Sequence, residues 1–191
     1  KITDKFIVNN FLNNKYKIIS IFIVFFLFSS TLFSWVIMYK EEFYKLYHIH
    51  YSQDPDNVME NIYWLEKATK ADFCNPQYAL AKIETKKQWE KYRYLFNMHV
   101  NLKLVEQHLR LGRIYDKKVV YFYDAPWKDE YLNDLEKAKA CYQSGLYYWK
   151  EALLWAEKAN KKEFTFLIIN EIQNWEDEKT LTVTIRALSA V

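Results

Sequence analysis

Turn chemistry is almost missing from this chain. Two glycines and three prolines serve 191 residues, too few for the tight turns that a meandering sheet requires. An all-α fold is therefore expected. Cysteine is equally sparse. Cys74 and Cys141 stand far apart in the sequence, and two cysteines do not make a disulfide framework, although an oxidising compartment would let them pair. Packing as small side chains is the expected role of each.

Catalytic constellations are absent too. The chain has no phosphate-cradling glycine loop, no G-x-S-x-G, no H-E-x-x-H and no C-x-x-C. His48 and His50 are two positions apart and would point about 200° from each other on a helix. Glu106 and His108 have the same unhelpful spacing. Asp129, Glu130 and Asp134 fall at a helix start, where compensation of the dipole accounts for them. No catalytic residue, cofactor, metal or small-molecule substrate is expected, and an enzyme is not expected. A basic field is missing from most of the chain as well. Residues 1–40 carry five Lys and one Asp, whereas residues 41–191 carry 22 basic and 23 acidic side chains. Nucleic acid is thus not an expected partner.

What the chain does have is one long apolar run. Ile18 to Met38, IISIFIVFFLFSSTLFSWVIM, contains no charge, glycine or proline. As a helix it would span roughly 30 Å, the thickness of a bilayer's hydrocarbon core. Tyr16 at one end, and Trp35 and Tyr39 at the other, suit the headgroup level. A signal peptide would be shorter and would leave through small residues. The run holds no titratable side chain, which argues against an ion-conducting stator. A transmembrane helix is expected over 18–39, behind a tail at 1–17. Lys1, Lys5, Lys15 and Lys17 precede the span, and Lys40 and Lys45 follow it. The amino end should therefore stay in the cytoplasm, with the remainder in the periplasm or an organellar intermembrane space.

After the span, helices follow one another. Residues 40–53 form a juxtamembrane helix continuing out of the bilayer, with Phe43, Tyr44, Tyr47 and Tyr51 in one stripe. Asp54 and Pro55 are read as the cap and first residue of a helix that carries Val58, Ile62, Leu65 and Ala68 to about Lys70. Asn75 and Pro76 open the next one. A helix running from 76 to 117 would be about 60 Å long, so a break near Asn97 to Asn101 is expected. Leu102, Val105, Leu109 and Tyr115 mark the apolar face of its second half. Pro126 starts the helix at 128–160, whose stripe of Ala138, Cys141, Gly145, Trp149, Ala152 and Ala156 admits a close neighbour. Tyr142, Leu146 and Leu153 widen that face. Glu163 to about Asp177 forms a further helix, with Phe166, Ile169, Ile172 and Trp175 in register. The alternating residues 179–191 are read as a tail.

Asn61 to Ala81, NIYWLEKATKADFCNPQYALA, resembles the junction between tetratricopeptide repeats. Leu111-Gly112-Arg113-Ile114-Tyr115 resembles that family's L-G-x-x-Y, and Glu151 to Lys161 looks like the end of a second repeat helix. The Glu-Lys-Ala copies at 66, 136 and 157 are unevenly spaced. The resemblance therefore implies degenerate antiparallel helical hairpins over about 54–161, within a hairpin domain at 54–178. The anchor, ADFCNPQYALAKI and KYRYLFNMHVNLKL together look like membrane-anchored repeat proteins of spirochaetes. That likeness implies a periplasmic scaffold in the collar of a flagellar motor, with other proteins and the lipid bilayer as partners. A periplasmic chaperone or translocon factor, or an accessory subunit of an organellar respiratory complex, are the alternatives. Tyr121, Phe122, Tyr123 and Trp127 are the candidate partner-binding residues, because aromatics beyond the needs of a core mark interfaces.

Overall fold

Polar caps decide where two of the helices of this protein begin. In the computed structural model, which describes residues 36–116 and 126–189, Asn57 accepts the Glu60 amide at 3.3 Å and starts a helix at Val58. Pro55 and Asp56 form the turn before it, so the cap sits three residues later than Asp54. Thr85 accepts the Gln88 amide at 3.1 Å, while the Gln88 side chain accepts the Thr85 amide at 3.0 Å, closing a capping box. Five α-helices result among the described residues: α1 Lys40–Gln53, α2 Val58–Lys70, α3 Lys86–Tyr115, α4 Lys128–Ala159 and α5 Gln173–Ser189. Short 3-10 turns occupy Pro76–Tyr78, Lys162–Phe164 and Asn170–Ile172. The all-α expectation holds.

The chain divides into two units, Lys1–Ile37 and Met38–Val191, and all five helices belong to the second. The expected span lies outside the described residues except at its end, where Val36 to Met38 are not helical. Among the described residues no helix is long and apolar enough to cross a membrane. α1 is thus not a continuation of a helix through residues 36–38. Lys40, which the sequence sets just beyond the expected span, is buried. Its Nζ donates to the Ala68 and Thr69 carbonyls at 3.0 and 2.6 Å, neutralising the negative end of α2. One backbone bridge, Tyr39 to Asp72, fastens the same corner.

α1 and α2 form an antiparallel hairpin. Phe43 stacks on Trp64 at one level and His50 on the same indole from two turns further on. α3 passes between this hairpin and α4. Its middle is buried nearly all round, at Tyr92, Leu95, Phe96, Met98, Val100 and Leu104, so it shows no single apolar face. The break expected at Asn97 to Asn101 does not occur, since Asn101 Nδ2 donates to the Asn97 carbonyl within the helix at 2.7 Å. α4, 32 residues long, lies antiparallel along it. Tyr94 meets Trp155 near one end, and Tyr142 donates to Asp116 at 2.9 Å near the other. A partner of equal length is what allows a helix of about 45 Å. The stripe Ala138, Gly145, Ala152 and Ala156 is buried against α3 as expected, but Leu146 faces solvent.

The last part departs most from the sequence reading. Residues 165–169 are not regular helix, and Phe166 is 92% exposed. Ile169, Ile172 and Trp175 are buried. The expected tail from 179 is helix through Ser189. Thr180, Thr182 and Thr184 each donate to the carbonyl four residues back, at 2.7–3.0 Å, so their hydroxyls are satisfied inside a helix.

Candidate functional site

Polar side chains that burial would normally exclude meet where α1, α3 and α5 come together. Tyr44 projects from α1 into an aromatic nest. Phe96 is edge-on at 5.5 Å and Trp175 at 6.2 Å. His99, 3% exposed, stacks on Trp175 at 4.8 Å. Four groups then run in a line, from exposed His48 through the buried Tyr44 and His99 to a half-buried Glu178. His48 Nε2 lies 2.8 Å from the Tyr44 hydroxyl, that hydroxyl 2.6 Å from His99 Nε2, and His99 Nδ1 2.5 Å from Glu178 Oε2. The carboxylate can only accept, so His99 Nδ1–H donates to it. Beside the line is a pocket of about 310 Å³, lined further by Leu80, Lys103, Glu171, Ile172 and Asn174.

This arrangement can pass a proton. With His99 neutral, Tyr44 donates to His99 and accepts from His48. With His99 charged, both bonds reverse, so a proton entering at His48 Nδ1 is delivered to the pair formed by His99 and Glu178. It does not supply a nucleophile. Burial raises the Tyr44 phenol well above its ordinary value, with the Tyr47 and Glu178 charges acting in the same direction. Burial also holds His48 below the usual imidazole range.

A second buried charge cluster is structural. Glu41, 1% exposed, accepts the Cys74 amide at 3.0 Å and faces the Tyr92 hydroxyl. Lys91 donates to the Phe164 and Leu167 carbonyls and pairs with Glu176. Each anchors an irregular segment, 72–85 or 160–172, onto the helices.

The sequence-predicted site is only partly visible. Tyr121, Phe122 and Tyr123 lie outside the described residues. Trp127 precedes α4 as its N-cap and is 43% exposed. Cys74 is buried and Cys141 half-buried, and both are free thiols, not paired with each other. Burial pushes the Cys74 thiol up to about 12, with Glu41 adding to it, and burial raises Cys141 as well. No group of His, Cys, Asp or Glu suited to a metal is present among the described residues. Tyr44, His99, Trp175 and Glu178 do not stand out in the sequence as a site, because nothing in their spacing joins residues so far apart in the chain.

Residues 87–187 match the domain of unknown function DUF8513, just over half of the sequence. The chain belongs to the DUF8513 family. The match runs from the start of α3 to near the end of α5, so it takes in His99, Trp175, Glu178 and all of α4, while Tyr44 and His48 precede it. No curated protein matches the chain. No solved structure matches it either.

Proposed function

We propose that this DUF8513 protein is a membrane-anchored, non-enzymatic scaffold that binds other proteins. The observation carrying this reading is the set of exposed apolar side chains along α4 and at the segments flanking it. Trp127, Leu146, Tyr147 and Phe166 are all exposed, and exposed aromatics of this kind are typical of contact surfaces. The apolar run from Ile18 to Met38 supports an anchor, and the lysines before it favour an amino end in the cytoplasm with the helical domain in the periplasm. The α1–α2 hairpin supports a degenerate repeat-like framework, while the helix expected to open at Asn75 and Pro76 is only a 3-10 turn there and the next α-helix starts at Lys86. Resemblance to spirochaete anchored repeat proteins makes a flagellar-motor collar the first assembly to test.

The experiment is recovery of the tagged protein from its own membranes in mild detergent. Stoichiometric recovery with motor components supports the reading. Appearance wholly in the aqueous fraction, or a carboxyl end shielded from protease added to the outer face of the inner membrane, overturns it.

A further inference from the structure

The outward face of α4 is complementary to its own reverse. Opposite the buried stripe Asp134, Ala138, Gly145, Ala152 and Ala156, seven residues form one row: Leu132, Glu136, Lys139, Gln143, Tyr147, Lys150 and Leu154. All seven are exposed, with Leu132 at 50%, Tyr147 at 59% and Leu154 at 44%. Their distances from Gln143 are four, seven and eleven positions on each side, and each of these steps brings a helix back to nearly the same face. The row therefore has a centre, and its two halves are chemically matched. Leucine stands at both outer positions, glutamate faces lysine at the next, and lysine faces tyrosine at the innermost.

We infer that this face pairs with a second copy of itself, two α4 helices lying antiparallel across a twofold axis at Gln143. Under that symmetry every contact occurs twice. Leu132 meets the partner's Leu154, Glu136 meets the partner's Lys150, and Lys139 lies over the ring of the partner's Tyr147, where a cation is attracted to the aromatic face. The contact row is about 33 Å long. Leu146, exposed at its edge, adds apolar area. The charges favour this occupant over an unrelated protein. Glu136, Lys139 and Lys150 make no hydrogen bond or ion pair with any described residue, and a mirror-ordered row supplies its own complement. The pairing does not depend on the scaffold reading, because it is read on the isolated chain.

The test is a charge swap on the full chain, held in a nonionic detergent to keep the 18–38 run dispersed and followed by light scattering and sedimentation. The wild type is expected to dimerise. E136K places like charges opposite each other at two symmetric positions, as does K150E, and each is expected to weaken the dimer roughly ten-fold. The double variant E136K/K150E restores the match with its sign reversed and should recover wild-type affinity. The inference is overturned by a wild type that stays monomeric, by single variants that dimerise normally, or by a double variant no tighter than the singles. Circular dichroism on the same samples should show unchanged helix content, since all of these positions are exposed.

Discussion

Gly112 of α3 lies directly beneath the ring of Tyr142 on α4, so that a single added methyl group would enter the space of the phenol. The other glycine behaves differently. A Cβ at Gly145 would meet only the His108 Cβ, at an ordinary 3.7 Å. Gly112→Ala gains about 1 kcal/mol of helix propensity, but it displaces a ring tied to Asp116 and should cost about 1–3 kcal/mol through overpacking. Gly145→Ala should gain about 0.5–1 kcal/mol, whereas Gly145→Leu should overfill the helix contact and lose about 1–3 kcal/mol. Urea melts of the three variants order them, and a stabilised Gly112→Ala protein would contradict the packing described.

His108 gives the domain a pH dependence. Its ring stacks on Tyr148 at 5.3 Å and neither nitrogen has a hydrogen-bond partner. Burial holds its pKa below the ordinary 6.5, with Glu66 opposing in part. The folded state therefore favours the neutral ring. The unfolded chain binds the proton first as pH falls through 6.5, so this contribution is present above that value and is lost on acidification towards the lowered folded value. Melting temperature should drop between about pH 7.5 and 5. His108→Leu should flatten that slope and raise stability at neutral pH by about 1 kcal/mol, by removing a buried polar group without partners.

Lys91 should be the most costly lysine to lose. Lys91→Met leaves the two carbonyls without their donor and Glu176 with Lys179, at 2.7 Å, as its remaining cation, and should cost about 1–3 kcal/mol. Hydrogen exchange should then rise first in residues 160–172, which Lys91 holds against α3.

Tyr44→Phe removes the link between His48 and His99 but keeps the ring within its aromatic nest. Stability should fall by only about 1–2 kcal/mol. The informative readout is the His99 imidazole nitrogen spectrum. In the wild type that spectrum should respond to substitution at His48, and in Tyr44→Phe the response should vanish.

Trp127→Ala should leave the melting curve within about 0.5 kcal/mol of wild type while reducing co-purification of partners. Unimpaired assembly would assign this indole to packing within the chain alone.

These outcomes bear on which parts of the molecule the sequence discloses. α1, α2 and α4 are legible because each buries one stripe, and a stripe is what periodicity detects. α3 misleads for the opposite reason. It is enclosed on several sides, so Leu102, Val105 and Leu109 look like its inner face although Leu104, Gln107 and His108 are the more buried residues. α5 is hidden by Thr-Leu-Thr-Val-Thr-Ile, whose alternation imitates a strand until each threonine is seen to bond backwards along a helix. Glu41, Lys91 and His99 are illegible because an ionisable side chain reads as a solvated one by default. The candidate site draws one residue or more from each of three helices, and no local pattern announces such a meeting.

Enclosing Lys40 and Lys91 has a practical corollary. Most lysines of the domain stand in water, while these two amines are sealed behind carbonyls of other segments. A reagent that acylates amines will mark the outer lysines at once and reach this pair only when the structure opens. The rate at which the two acquire label, read by mass spectrometry, is thus a built-in clock for how often the molecule comes apart.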